Sequence, residues 1–251
     1  PPRRFLPKEM DLDDIARVKE AFRIATLRSA EAGYDILEIH GAHGYLIHQF
    51  LSPASNHRTD AYGGDIEGRM RFALELAEVT RAAWPADKPL FWRISAVDGA
   101  GGIWNLKDSV ILSQALKDRD VDLIDVSSGG ISGNSKMPMV PRLDGYQTDF
   151  SDRIRKETGI MTIAVGGITD PHQAEAILQD GRADMVALAR ELLWNADWPA
   201  HAAKALGLPD AFDGMPHEYA FRLRERERQK EMQINQAGAK SEEAFRYFMG
   251  E

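Results

Sequence analysis

Short apolar runs alternate along this chain with longer stretches whose apolar residues recur at helical spacing. Asp11-Leu12-Asp13-Asp14 caps a helix expected to run to Ala32, with Gly33 as its stop. The run Tyr34-Asp35-Ile36-Leu37 opens a strand over Asp35 to His40, and a long irregular excursion follows, punctuated by Pro53, Asn56, Asp60, Gly63 and Gly64. Ile66 to Trp84 reads as an amphipathic helix ended by Pro85. Next come a strand over Leu90 to Ala96, a turn over Asp98 to Gly102 and a helix over Leu106 to Asp118. The pattern then repeats. Leu123 to Ser127 is a strand followed by a flexible Gly/Ser-rich loop through Gly133, and Ser151 to Thr158 is a helix. Met161 to Val165 is a strand ending in Gly166-Gly167. Pro171 to Asp180 is a helix capped by Thr169 or Asp170, and Met185 to Leu188 is a strand ending in Ala189-Arg190. Beyond Arg190 the chain is helical and polar, and densely charged from Glu218 to Gln233.

Strands alternating with helices predict an α/β fold with a parallel sheet and right-handed crossovers. Both a doubly wound sheet and a closed TIM (β/α)8 barrel accommodate the pattern. The barrel is favoured because every strand ends in polar or glycine-rich residues, whereas a doubly wound sheet gathers its ligand at one switch point. The sequence supplies about five strands where a closed barrel needs eight. Alone they would leave two open edges. Either another chain or segment supplies the remaining strands, or the sheet is open.

Composition narrows the function classes. The 251 residues carry a net charge of −8, against the basic surface that nucleic-acid binding requires. There is no cysteine, so disulfides, thiolate catalysis and cysteine-bound metal are excluded within this chain. No apolar run reaches the length of a membrane helix, and the N-terminal run from Pro1 to Lys8 lacks a signal-peptide core. A cytoplasmic setting, with no nucleic-acid or membrane partner, is the expectation.

The candidate chemistry gathers in Glu38-Ile39-His40-Gly41-Ala42-His43-Gly44-Tyr45, where the first strand ends. Imidazole donates to a carbonyl oxygen, and a phenol supplies a proton. His40, His43 and Tyr45 together suit a site that grips an electron-withdrawing group and protonates a carbon near it. A zinc site with His48 and Asp60 as further ligands is the weaker reading, because the usual spacings are missing. Arg93 lies inside an apolar strand and needs a charged partner there. That partner is either a carboxylate in a structural ion pair or an anionic cofactor ring. Gly166-Gly167 and Ala189-Arg190 end consecutive strands, where backbone N–H groups and a guanidinium can bind a phosphate.

These residues together resemble the old yellow enzyme family of NADH:flavin oxidoreductases, in particular its thermophilic-like subgroup. The carrying motifs are His40-Gly-Ala-His43-Gly-Tyr45, Phe50-Leu51-Ser52-Pro53 and Asn56 through Gly64. They continue with Arg93-Ile94-Ser95, Asp122 through Ser127, Val165-Gly166-Gly167-Ile168 and Arg182-Ala183-Asp184 up to Ala189-Arg190-Glu191. The match runs from about Pro7 to Leu208, so residues 1–208 are read as the C-terminal part of the barrel and 209–251 as a charged helical tail.

The resemblance implies an FMN-dependent ene-reductase that carries hydride from NAD(P)H to the β-carbon of an activated alkene. His40 and His43 would hold the substrate's carbonyl or nitro oxygen, and Tyr45 would protonate the α-carbon. Arg93 would face the flavin's N1–C2=O side, and Gly166, Gly167, Ala189 and Arg190 would bind the FMN phosphate. The family has roughly three more strands before Asp11, which a second polypeptide or segment would supply, and a homo-oligomer of the completed barrel is expected. In that subgroup a C-terminal arginine reaches a neighbouring site. Arg222, Arg224, Arg226 and Arg228 are candidates, most of them expected as solvated charges paired with Glu225 and Glu227. A related flavin dehydrogenase or reductase module acting on dienoyl or aryl thioesters is the second reading. A non-catalytic barrel fragment serving assembly is the third.

Overall fold

The computed structural model describes residues 8–136 and 139–249. The run from Pro1 to Pro7, where a signal-peptide core was sought, lies outside the described residues. Five strands form one parallel sheet: β1 (Leu37–Gly41), β2 (Leu90–Ser95), β3 (Leu123–Ser127), β4 (Met161–Val165) and β5 (Met185–Ala187). Their order in the sheet is their order in the chain, and every neighbouring pair is parallel. Crossovers of one hand between consecutive neighbours put the connecting helices on one face. A doubly wound sheet reverses its strand order at a switch point, and this one does not. The architecture is therefore a partial α/β barrel.

Two helices show how the sequence sets element boundaries. Helix α1 (Leu12–Glu31) starts at Asp11, whose carboxylate accepts from the Asp14 N–H while Asp14 reaches back to the Asp11 N–H. It ends at Gly33 with φ +83°, where Gly33 N–H donates to Ala30 and Tyr34 N–H to Ser29. That stop motif occupies the residues just before the strand, so β1 begins at Leu37 rather than Asp35. Helix α2 (Leu46–Leu51) was not expected. It lies inside the stretch read as irregular, buries Ile47, Phe50 and Leu51, and stops at Ser52 before Pro53.

The core lies between the sheet's outer face and its helices. Ile39, Trp92, Ile94, Ile124 and Val126 point to that face. They meet Phe72, Leu76 and Ala77 of α3 (Ile66–Ala83), Leu112 and Leu116 of α4 (Leu106–Lys117) and Ile154 of α5 (Thr148–Thr158). Helix α5 begins at Thr148, earlier than its apolar spacing suggests. Helix α6 (Pro171–Gln179) precedes β5. Alternation sends Glu38, His40, Arg93, Asp125, Met161, Ile163 and Met185 to the opposite face. That face is partly open: Met161 and Met185 are 48% and 44% exposed.

The chain divides into two compact units. One holds the described residues up to Thr169 and Gln173–Leu188, and the other holds Asp170–His172 and the described residues from Ala189 on. This division falls before the 208/209 boundary drawn from the sequence. The second unit contains α7 (Arg190–Trp194), α8 (Trp198–Ala205) and the long α9 (His217–Met249). On α9 Arg226 pairs with Glu227 and Arg228 with Glu225, while Arg224 pairs instead with Asp210, and Arg222 lies over the Phe221 ring. No helix among the described residues is long and apolar enough to cross a membrane.

Helix α4 offers a direct check of the buried layer. Leu112 is fully buried and Ile111 is 39% exposed. Leu112→Ala should lower unfolding free energy by about 2–5 kcal/mol, and Ile111→Ala by about 1 kcal/mol or less, in urea denaturation. Equal effects would contradict the assigned face.

Candidate active site

Three strand ends build the site. His40 on β1, Arg93 on β2 and Asp125 on β3 lie directly in register, so their side chains form a row across the open face. Arg93 Nε sits 3.2 Å from Asp125 Oδ2, outside hydrogen-bond geometry. Asp125 is buried, and its carboxyl is pushed up by removal from water, with Arg93 pulling the other way. Glu38, one pleat below His40, is pushed up to about 7 by removal from water and by the Asp125 charge, against Arg93. Arg93 thus lies beside one carboxyl and within the electrostatic reach of the other, and the tendency of both to hold a proton limits the negative charge in the row.

Beyond β1 the chain turns sharply. His43 has φ +59° and Gly44 φ +77°, so the turn uses two successive left-handed residues. A non-glycine residue keeps that conformation only when its surroundings hold it. The His43 N–H donates to Ser95 Oγ at 2.9 Å, and Ser95 Oγ donates to the Gly129 carbonyl at 2.8 Å. Ser127 Oγ lies 2.6 Å from His43 Nε2. A Cβ on Gly130 would overlap the His43 backbone, and one on Gly44 would overlap the Gly130 carbonyl. The loop over Ser127 to Gly130 is therefore a close-packed seat for His43, not the flexible loop the glycines suggested.

This turn brings the three candidate side chains together. The His40 ring centroid is 5.1 Å from that of His43 and 5.5 Å from that of Tyr45. Tyr45 is 64% exposed, so its hydroxyl is accessible to a ligand. Removal from water and the Arg93 charge lower the affinity of His40 for a proton. The same two causes, followed by His40 and His43's neighbour His48, bring His43 down to about 4. His43 is then neutral near pH 7 and has one ring N–H. The contact with Ser127 can run in either direction, and a hydroxyl that donates to Nε2 leaves the ring N–H on Nδ1.

The anion-binding candidates divide between the two units. Gly166 and Gly167 have φ of +111° and +67°. A Cβ on Gly166 would come within 2.7 Å of Tyr146 and Gln147, and one on Gly167 within 2.8 Å of the Leu143 carbonyl. Close packing alone thus accounts for glycine at both positions. No acceptor among the described residues takes their N–H groups, which leaves those donors for an anion. Ala189 precedes α7, and Arg190 opens it, exposed, in the second unit. The residues within the first unit fit an FMN ring and phosphate in kind: Arg93 supplies a cation on the open face, and the glycines supply backbone donors.

Other sequence candidates have different roles. His48 and Asp60, considered as metal ligands, face Asp98 and Arg58 respectively. The segment Asp98 to Gly102 is a turn, as its glycines suggest, but it also holds a buried carboxylate that sequence reasoning missed. Asp98 Oδ2 accepts from Ser52 Oγ at 2.6 Å and from the backbone N–H groups of Ile103 and Trp104. Burial pushes this carboxyl up, but His48, Ser52 and the two N–H donors outweigh it and hold it below the usual range. A cavity of about 320 Å³ opens beside α2, and neither His40, His43 nor Tyr45 lines it.

Parallel β/α units in chain order, with two histidines and a phenol where β1 ends, define the class of partial α/β barrels. Residues 2–209 match the NADH:flavin oxidoreductase / NADH oxidase family, and the chain belongs to that family. Among similar relatives, an NADPH dehydrogenase of Geobacillus sp. (strain WCH70) is 52% identical over 201 residues, 80% of this chain and 57% of that protein. An NADPH dehydrogenase of Bacillus subtilis (strain 168) is 44% identical over 200 residues, again 80% and 57%. The chain thus spans somewhat over half the length of these relatives. Among solved structures, a complex of 2-naphthoyl-CoA reductase with 2-naphthoyl-CoA aligns with a TM-score of 0.71 at 25% identity, covering 84% of this chain and 32% of that one. The N189A mutant of morphinone reductase in complex with tetrahydroNAD aligns with a TM-score of 0.64 at 26% identity, covering 80% and 52%.

The neutral state of His43 is directly measurable. An unfolded histidine takes up its proton near pH 6.5, whereas His43 in the folded chain does so at about 4. Its contribution to stability is complete above pH 6.5 and is lost as pH falls toward 4. Histidine-ring NMR should therefore show His43 titrating near pH 4. A midpoint above 6 would contradict the half-buried placement within reach of the Arg93 charge.

Proposed function

We propose that this chain forms the substrate-binding part of an FMN-dependent NAD(P)H oxidoreductase that reduces activated alkenes. The observation that carries this reading is the ring cluster of His40, His43 and Tyr45 at the end of β1, in register with Arg93. FMN bound against the open face would supply the hydride taken from NAD(P)H. His40 and the Nδ1–H of His43 donate to the carbonyl or nitro oxygen of the alkene, where negative charge grows as the β-carbon accepts hydride. Neutral imidazoles suit this task because they donate without surrendering a proton to the oxygen. Tyr45 gives its phenolic proton to the α-carbon. Arg93 would hold the flavin ring by its charge, and the backbone N–H groups of Gly166 and Gly167 would take the phosphate, with Ala189 and Arg190 as the second unit's own anion-binding candidates. Further strands, from another segment or chain, cover the open face and close the barrel.

A second reading is favoured by the likeness to the 2-naphthoyl-CoA reductase complex. The same side chains would then receive an aryl or dienoyl thioester, whose carbonyl oxygen makes the same demand on His40 and His43.

Stopped-flow kinetics on the FMN-loaded protein separate the roles. Tyr45→Phe should leave flavin reduction by NAD(P)H unchanged and slow reoxidation by a cyclic enone about 10²-fold or more. Reoxidation at the wild-type rate would remove Tyr45 from the proton-donor role. Faster reoxidation by an aryl thioester than by a cyclic enone would favour the second reading.

A further inference from the structure

The turn bearing His43 and Tyr45 is held from beneath by a buried pair that the proposed chemistry does not use. His48 lies on the first full turn of α2, and both its side chain and that of Asp98 are fully buried. Its Nδ1 accepts the Gly44 N–H at 3.0 Å. An accepting Nδ1 leaves the proton of the neutral ring on Nε2, which lies 2.9 Å from Asp98 Oδ1, close but outside hydrogen-bond geometry. Asp98 is itself fixed by Ser52 Oγ and by the Ile103 and Trp104 N–H groups. A rigid connection therefore runs from the loop after β2 through Asp98 and His48 to the backbone between His43 and Tyr45.

We propose that His48 is a positioning residue: Asp98 selects its Nε2–H tautomer, and its Nδ1 then fixes the left-handed His43-Gly44 turn that presents His43 and Tyr45. Tyr45 is the N-cap residue of α2 and makes no side-chain capping bond. The Gly44 N–H just ahead of it, outside the helix, has no other acceptor among the described residues, so His48 alone satisfies it. Burial makes the link strong. Without Nδ1 the Gly44 amide would have to find water or remain unpaired. Without Asp98 neither tautomer would be preferred, and the Nδ1–H form would set a donor against a donor. The proposal deepens the functional reading, because the consequence for alkene reduction rests on His43 and Tyr45 forming the substrate site.

The test uses the intact protein and variants that divide the two ends of the ring. In H48N the side-chain oxygen falls near the place of Nδ1 and can accept from Gly44. In H48Q the amide reaches toward Asp98 and leaves Gly44 without a partner, and H48F removes both links. Gly44 amide exchange should be protected in the wild type and in H48N, and faster by about tenfold or more in H48Q and H48F, the equivalent of one lost hydrogen bond. In the wild type, ring nitrogen shifts should report Nδ1 as acceptor and Nε2 as protonated. Unchanged Gly44 exchange in H48Q, or the opposite tautomer in the wild type, overturns the proposal. If H48F fails to fold, H48Q against H48N decides. These readouts need no turnover. A protected Gly44 in a protein inactive toward alkenes would refute the functional reading and leave the positioning role standing. In active protein, kcat should fall in H48Q and recover in H48N, with KM for NAD(P)H unchanged.

Discussion

The structure depends on one topological constraint: five parallel strands lie in chain order, joined by crossovers of one hand. That order places the helices against a single face, which takes up Ile39, Trp92, Ile94, Ile124 and Val126. The other face is freed from the core. It can carry Glu38, His40, Arg93 and Asp125, which would be intolerable in a layer packed on both sides. Chemistry and stability are thus assigned to opposite sides of the same strands, residue by residue, through the pleat.

The strand ends then act together. The loops after β1, β2 and β3 are fastened by Ser95, Ser127 and Gly129, and Gly44 and Gly130 allow a backbone approach that no Cβ would tolerate. His43 keeps a left-handed conformation because this seat determines it. The rings of His40, His43 and Tyr45 meet as a result, and removal from water, with the Arg93 charge added, disfavours protonation of both imidazoles. Hydrogen bonding and electrostatics therefore favour the same state, a pair of neutral donors beside an accessible phenol.

Much of this was legible in the sequence because the elements are locally consistent. The capping box at Asp11 and Asp14, the stop at Gly33 and the apolar runs of the five strands are signals within a few residues of each other, and the structure follows them. The crowding of His40, His43 and Tyr45 within one short segment was equally visible. What sequence concealed was everything made by long-range contact. Helix α2 is too short for its periodicity to stand out. Asp98 looks like any turn aspartate until Ser52 and His48 are found beside it. The glycines at 129 and 130 read as flexibility, and only the approach of the His43 backbone reveals that packing requires Gly130, while Gly129 serves the turn with φ +84°. The division of the compact units at Ala189, where the sheet is finished, rests on contacts in space, and the boundary at 208 rests on the reach of the resemblance, a different criterion.

The central claim is that the two imidazoles at the end of β1 bind an electron-rich oxygen over a flavin. Phenols test it most directly, because a phenolate held there would lie against oxidised flavin and give a long-wavelength charge-transfer band. Titration of the FMN-loaded protein with 4-hydroxybenzaldehyde should produce this band. His43→Ala should weaken binding by about tenfold or more, the cost of one hydrogen bond to a charged oxygen. Phenol binding without such a band, or with equal affinity in His43→Ala, would contradict the account.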